Sequence, residues 1–97
     1  MRTTEREIER STAFKRDYKR ESKGQHRATL DVDLIAVLVA LVNDEPLDAR
    51  NRDHELSGDW RGYRECHVKP DLLLIYQKPD ADTLRLARLG SHSELFG

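Results

Sequence analysis

The chain has 97 residues, of which 37% are hydrophobic and 36% are charged, with a net charge of −1. This length fits one domain with a modest core, and no apolar run approaches the ~20 residues of a membrane helix. The N-terminus lacks the apolar stretch of a secretory signal, and the single cysteine, Cys66, cannot form an internal disulfide. We therefore expect a single cytoplasmic domain over residues 1–97, with no membrane partner.

The charges are distributed unevenly along the chain. Residues 1–30 hold nine Lys/Arg and five Asp/Glu, residues 31–59 hold two and eight, and residues 60–97 hold six and five. Such segregation can give a near-neutral protein a basic face, although a solvated, ion-paired surface is the simpler explanation. The acidic middle argues against a protein that coats nucleic acid indiscriminately, and it leaves room for a local basic site.

The first third of the chain predicts a short strand and a basic helix. The segment "REIER" alternates around Ile8 and could form the strand. Ser11 is a favourable N-cap for the helix that follows, in which Phe14 and Tyr18 share one face and Lys and Arg cover much of the rest. Gly24 marks the end of this segment.

The segment "LDVDLIAVLVALVNDEPL" gives the strongest helix signal, and Pro46 stops it. We predict a core helix without a chemical role. Its apolar stripe comprises Leu30, Leu34, Ile35, Leu38, Val39, Leu41 and Val42.

The second half of the chain predicts three strands, "RGYRECHV", "DLLLIYQK" and "TLRLARLG", and the closing "SHSELFG" predicts a short turn or tail. The fold class is therefore α+β, with two N-terminal helices packed on one face of a small, mainly antiparallel sheet. The opposite face of the sheet remains available for a functional site.

Three of the four histidines, His54, His67 and His92, fall in this β half, whereas His26 lies in a polar stretch between the helices and is expected to be exposed. His67 and Asp71 flank "VKP". Residues on either side of a short hairpin turn can share a face. We therefore expect His67 and Asp71 to come within hydrogen-bond reach, with the carboxylate orienting the imidazole.

Imidazoles, a carboxylate and arginines are the groups that metal-free RNA cleavage requires. The 2′-hydroxyl must lose a proton, the 5′-oxygen must gain one, and histidine titrates in the useful range. Arg64 and Arg88 could bind phosphate, and no cofactor is needed. Aromatic faces for unstacked bases could come from Trp60, Tyr63, Tyr76 and Phe96.

Each of these residues also has a simpler explanation. A single histidine is usually surface filler, Asp71 is a common turn residue, and Trp60 and Tyr76 are more typical of a core. A zinc site that uses His54, His67, Asp71 and His92 is a rival interpretation. It is weaker because the sequence has no HxH, HxxxH or CxxC spacing.

The runs "DHELSGDWRGYRECHVKPDLLLIYQ" and "LRLARLGSHSELFG" resemble toxins of the RelE/ParE superfamily, specifically its YafQ branch, over about Ile8 to Gly97. The resemblance implies the toxin of a bacterial type II toxin–antitoxin pair that cleaves mRNA in the ribosomal A site. It also implies a small DNA-binding antitoxin whose tail wraps the toxin. Operator DNA would be contacted only through that complex.

When the functional residues of the family are carried over position by position, the resemblance implies that His92 is the general acid. It also implies that His67 and Asp71 provide the general base and that His54 supports the site. Which of His67 and Asp71 takes the proton stays open. Arg88 is suited to the charge of the transition state. The remaining candidate substrate-binding residues are Phe96, Arg64 and Lys69.

Other functions remain open. The chain could be a non-catalytic toxin scaffold that acts through a protein partner, or a metal-dependent nuclease. The superfamily also contains gyrase poisons, which do not need such a histidine set. The sequence departs from the family at two points. Leu72 replaces an aromatic residue, and the net charge is near neutral. Because of this low charge, the basic first helix would carry more of the ribosome contact.

Overall fold

The computed structural model describes residues 5–97, and residues 1–4 of the predicted single domain lie outside this range. The two longer helices follow the first strand, the other strands lie in the second half of the chain, and short 3-10 turns occur at Ala49–Asn51 and Gly58–Trp60. The elements are β1 (Glu7–Arg10), α1 (Thr12–Glu21), α2 (Leu30–Val42), β2 (His54–Glu55), β3 (Arg64–Lys69), β4 (Leu72–Gln77), β5 (Thr83–Gly90) and α3 (His92–Phe96).

The strands form one sheet in the order β1-β5-β4-β3-β2. β1 is parallel to β5, and all other neighbours are antiparallel. The predicted α+β class, the mainly antiparallel sheet and the short N-terminal strand are therefore confirmed. No helix within residues 5–97 is long and apolar enough to span a membrane.

Helix α1 begins where the sequence predicts. The Ser11 hydroxyl accepts a hydrogen bond from the Phe14 N–H at 2.9 Å, as an N-cap residue does, and donates one to the Ala87 carbonyl at 2.7 Å. The same side chain thus starts the helix and ties it to the edge of β5. This contact places α1 beside the end of β5 that leads to His92.

Helix α2 covers one face of the sheet, which we call the helix face. Its buried residues include Leu34, Val37 and Leu41, whereas Ile35 and Val39 are 56% and 49% exposed. Their predicted place in the core stripe was wrong, because a helix that is apolar nearly all round does not reveal by period alone which side meets the sheet. The helix ends at Val42, before Pro46, and Asp44 follows in the left-handed region with φ 55°.

The opposite face of the sheet, which we call the open face, carries a second, smaller apolar cluster of Leu73, Ile75, Ala87 and Leu95. Leu95 belongs to α3, so the predicted C-terminal turn or tail is a short helix. A capping box between Ser91 and Glu94 starts it. The open face is therefore partly covered, and α3 brings the C-terminal histidine to its margin.

Candidate active site

The β3–β4 hairpin sets the positions of two predicted site residues. His67 opposes Leu73 and Lys69 opposes Leu72, with an irregularity at Val68, so Asp71 lies in the turn itself. The expected pairing of His67 with Asp71 is therefore wrong in register, because Asp71 is not on a strand opposite the histidine. The Asp71 carboxylate instead lies 2.9 Å from His26 Nε2.

His26 was predicted to be exposed, but its side chain is only 19% exposed and packs against this turn. Gln25 Nε2 donates a hydrogen bond to the other carboxylate oxygen of Asp71 at 3.3 Å. The loop between α1 and α2 therefore holds the turn residue that the sequence had placed beside His67.

A buried glutamate replaces Asp71 as the acidic partner of the histidines. Glu65 on β3 is 5% exposed, and its Oε1 lies 3.5 Å from His54 Nε2 and 3.9 Å from His67 Nε2. Sequence reasoning missed Glu65, although strand alternation places residues 65 and 67 on one face. We call His54, Glu65 and His67 the histidine–glutamate cluster.

Backbone carbonyls fix the orientation of both imidazoles. His54 Nδ1 lies 2.7 Å from the Arg52 carbonyl, and His67 Nδ1 lies 3.2 Å from the Pro70 carbonyl. Because a carbonyl oxygen can only accept, both Nδ1 atoms carry a proton. Both Nε2 atoms then face Glu65, and a proton on at least one of them makes the arrangement attractive.

His92 lies across the open face from this cluster. His67, Leu73 and Gly90 are directly paired across β3, β4 and β5. Because neighbouring strands lie ~4.8 Å apart, His67 and Gly90 are about 10 Å apart at the backbone. His92 follows Gly90 by two residues in the first turn of α3, and its ring centroid lies 5.1 Å from that of Phe96.

Arg88 is fixed by a buried acid. Its Nε and Nη2 donate hydrogen bonds to the Asp17 carboxylate at 2.7 and 3.2 Å, and this contact raises the pKa of Arg88. Asp17 is fully buried and also accepts from the Leu89 N–H at 3.0 Å. Arg88 opposes Ile75 in register, which places it at the open face near the start of α3.

Arg64 and Lys69 lie apart from the histidine–glutamate cluster. Arg64 opposes Tyr76 on the helix-face side and donates to Asp53 at 3.3 and 3.2 Å. Lys69 donates to Thr29 at 2.6 Å and also pairs with Asp33. Both cations are therefore engaged in intramolecular contacts.

The aromatic residues divide between core and surface. Tyr76 is 1% exposed, and burial together with its hydrogen bond to Asp53 raises the pKa of its hydroxyl, so its suggested role as a base platform is wrong. Trp60 and Tyr63 pack edge to face on the open-face cluster, with ring centroids 5.2 Å apart. Phe96 is 37% exposed beside His92 and remains available to a ligand.

A metal site finds little support in the geometry. Within residues 5–97, no group of three or more His, Cys, Asp or Glu side chains is arranged to hold a metal ion. The histidines thus have backbone carbonyls and one carboxylate as partners, an arrangement suited to moving protons.

The helix-backed, mainly antiparallel sheet is the RelE-like fold, which solved YafQ structures share. Residues 6–97 match the family model described as the bacterial toxin of the type II toxin–antitoxin system, YafQ. The chain therefore belongs to the YafQ toxin family, which confirms the resemblance read from the sequence.

Relatives match over nearly the whole chain. The mRNA interferase toxin YafQ of Escherichia coli K12 is 41% identical over 95 residues, which cover 96% of this chain and 98% of that protein. A chain in the crystal structure of the E. coli DinJ–YafQ toxin–antitoxin complex resembles this chain with a TM-score of 0.80 and 40% identity. The match covers 96% of this chain and 99% of that chain. A copper-bound mutant toxin from Helicobacter pylori also has a TM-score of 0.80, with 39% identity over 93% of this chain and 98% of that chain.

Proposed function

We propose that this protein is a ribosome-dependent mRNA endoribonuclease, the toxin of a type II toxin–antitoxin pair. The observation that carries the proposal is the histidine–glutamate cluster on one side of the open face, with His92 on the other. The name of the E. coli relative, an mRNA interferase, supports the same activity. The reaction is attack of the 2′-hydroxyl on the adjacent phosphorus.

His67 is the general base in this proposal. Its Nδ1 donates to the Pro70 carbonyl, so the Nε2 lone pair of the neutral ring can accept the proton of the 2′-hydroxyl. Glu65 then stabilises the imidazolium that forms. Asp71 is the weaker candidate for the base, because it lies in the turn, where Gln25 donates a hydrogen bond to its carboxylate and His26 Nε2 lies 2.9 Å away.

His54 supports the base through the Glu65 carboxylate, which both imidazoles face. His54 Nε2 lies 3.5 Å from the Glu65 carboxylate, and His67 Nε2 lies 3.9 Å from it, so His54 is the closer of the two histidines. His54 thus takes the nearer position at the Glu65 carboxylate oxygen. The His67 Nε2 atom is then left free to accept a proton from the substrate.

His92 is the general acid. As the bond between O2′ and phosphorus forms, the bond from phosphorus to the 5′-oxygen breaks, and protonated His92 gives that oxygen its proton. The products are a 2′,3′-cyclic phosphate and a 5′-hydroxyl. Arg88, positioned by Asp17, stabilises the charge on the phosphorane, and Phe96 packs on a substrate base.

The partners follow from the same assignment. The basic side chains of α1 contact ribosomal RNA, and this contact weakens with added salt. The cognate antitoxin is a small DNA-binding protein that inhibits the toxin, as DinJ pairs with YafQ in the E. coli complex. Its DNA-binding part, rather than this chain, contacts the operator. The proposed site of action is the cytoplasm, where ribosomes translate.

Cleavage of mRNA on purified, programmed ribosomes tests the proposal. His92→Ala should lower the cleavage rate by at least about 100-fold, the usual contribution of a general acid. The matched control is Ser93→Ala, the next residue on α3, which is exposed and should retain full activity. The same substitution at His92 should abolish growth arrest on controlled expression.

The alternatives give different results in this assay. Equal cleavage by His92→Ala and the wild type would remove the proposed acid. Absence of cleavage by folded protein on active ribosomes would favour a non-catalytic module that acts through a protein partner. A stoichiometric transition metal in the purified protein, with cleavage lost when that metal is removed before the ribosomes are added, would favour a metal-dependent nuclease, a possibility raised by the copper-bound relative.

A further inference from the structure

The loop between α1 and α2 holds both ends of the β3–β4 turn. On one side, Lys69 donates to Thr29 at 2.6 Å and pairs with Asp33. On the other, Gln25 and His26 approach the two carboxylate oxygens of Asp71. The turn that follows His67 is thus fixed from outside the sheet.

His26 is the least expected of these contacts. Its Nε2 atom is buried and lies 2.9 Å from Asp71 Oδ1, but off the angle of a hydrogen bond, and it has no other hydrogen-bond partner within residues 5–97. A buried polar atom without a partner is costly. Hydrogen bonds from the Thr29 and Leu30 N–H groups to the His26 carbonyl fix the backbone of this residue. The Asp71 carboxylate oxygen is therefore the polar group that lies within reach of this ring nitrogen.

The turn connects this contact to the proposed base. Asp71 follows Pro70 directly, and the Pro70 carbonyl accepts the hydrogen bond from His67 Nδ1 at 3.2 Å. Holding the Asp71 side chain restrains the peptide between the two turn residues, and that peptide contains the Pro70 carbonyl. If the peptide rotated, His67 would lose the acceptor that keeps the proton on Nδ1.

We infer that His26 is a positioning residue for the nuclease reaction, acting through Asp71 and the Pro70 carbonyl to keep His67 in the tautomer that can accept a proton. This inference rests on the proposed function. It assigns Asp71 the task of anchoring the turn, and it gives a role to a histidine from the helical part of the chain. Gln25 supports the same anchor at the second oxygen.

Steady-state kinetics on programmed ribosomes provide the first test. His26→Ala should lower kcat about tenfold, a moderate loss for a slightly misplaced catalytic group, and leave KM within about twofold. His26→Gln, which retains an N–H donor, should recover most of the activity. Ala28→Ser, an exposed position in the same loop, serves as the control and should behave as wild type.

A double-mutant cycle tests whether His26 acts through Asp71. In an Asp71→Ala background, adding His26→Ala should lower kcat by less than about twofold, because the anchor is already lost. Losses that multiply instead would overturn the inference. So would a His26→Ala variant that equals the Ala28→Ser control.

A measurement without RNA separates this inference from the proposed function. In the His92→Ala protein, the ring ¹⁵N resonances of His67 should report a single tautomer with the proton on Nδ1. Adding His26→Ala should shift them toward a mixture of both tautomers, whereas Ala28→Ser should not. Unchanged His67 resonances would overturn the inference even if the protein cleaves RNA. If cleavage fails but the shift is seen, the proposed function is lost, while the link from His26 to the His67 tautomer is supported.

Discussion

Asp17 and Glu65 are the buried carboxylates of residues 5–97, at 0% and 5% exposure, and their surroundings differ. Asp17 accepts from Arg88, Arg20 and the Leu89 N–H at 2.7 to 3.2 Å. Glu65 has two imidazoles near one oxygen, at 3.5 and 3.9 Å. The hydrogen-bonding capacity of the Asp17 carboxylate is thus satisfied by short bonds. The Glu65 carboxylate has only longer contacts, with imidazoles that can gain or lose a proton.

The different surroundings of Asp17 and Glu65 indicate two roles for a buried carboxylate, one in stability and one in proton transfer. Bonds that satisfy a buried carboxylate fully stabilise the fold and fix its partners, which here include Arg88. A loosely satisfied carboxylate costs stability, and such sites are where proton chemistry is commonly found. The edge between α1 and β5 is thus a firmly bonded support, whereas the histidine–glutamate cluster is the part to which the proposed mechanism assigns the proton transfer.

The largest expected effect is on the free energy of unfolding when Asp17 is changed. Asp17→Asn should lower the free energy of unfolding by about 3 kcal/mol, because removing one partner of a buried pair leaves the other unpaired. Glu65→Gln, the matched exchange of carboxylate for amide, should change it by less than about 1 kcal/mol. Denaturant unfolding measures both variants, and equal losses would contradict the comparison.

The pH dependence of unfolding provides the control for Asp17. Burial raises the pKa of its carboxyl, but hydrogen bonds from Arg88 and the Leu89 N–H and the charges of Arg88 and Arg20 outweigh this, so the pKa lies below its ordinary value. Its stabilisation is therefore present above the unfolded pKa of about 3.9 and is lost as the pH falls through the lower folded value. The gap between wild type and Asp17→Asn should shrink below about pH 4.

The next effect in size is on activity. Glu65→Gln should lower the rate of RNA cleavage by about 100-fold, because an amide does not stabilise the His67 imidazolium as a carboxylate does. Glu55→Gln, in which an 84% exposed carboxylate on neighbouring β2 is changed, is the control and should stay near wild type. Full activity in Glu65→Gln would make Glu65 a structural residue like Asp17.

Periodicity and turn chemistry predicted most of the fold. The Ser11 cap, the long apolar helix and the three strands of the second half follow from local rules, and the structure confirms them. The orientation of α2 did not follow, because Ile35 and Val39 are as apolar as the residues that meet the sheet. Helix α3 has only five residues, too few to show a helical period, so the sequence predicts no more than a turn or tail there.

The site was less predictable because it depends on register and on contacts between distant segments. His67 is paired with Leu73, so Asp71 falls in the turn and not opposite His67. The contact between His26 and Asp71 joins residues 45 positions apart, which no local pattern signals. Glu65 could have been found from strand alternation, since it shares a face with His67.

The smallest effect tests the alternation of β3 directly. Cys66 lies between Glu65 and His67, but it is 0% exposed on the helix face, and burial raises the pKa of its thiol to about 12. A thiol reagent at about pH 8 should therefore label folded protein at least tenfold more slowly than unfolded protein. His67→Cys in a Cys66→Ala background moves the thiol by one position to the half-exposed open face and should be labelled rapidly. Because a shift of one residue exchanges the two faces of a strand, rapid labelling of native Cys66 would mean that Glu65 does not face the histidines, and the contrast with Asp17 would be lost.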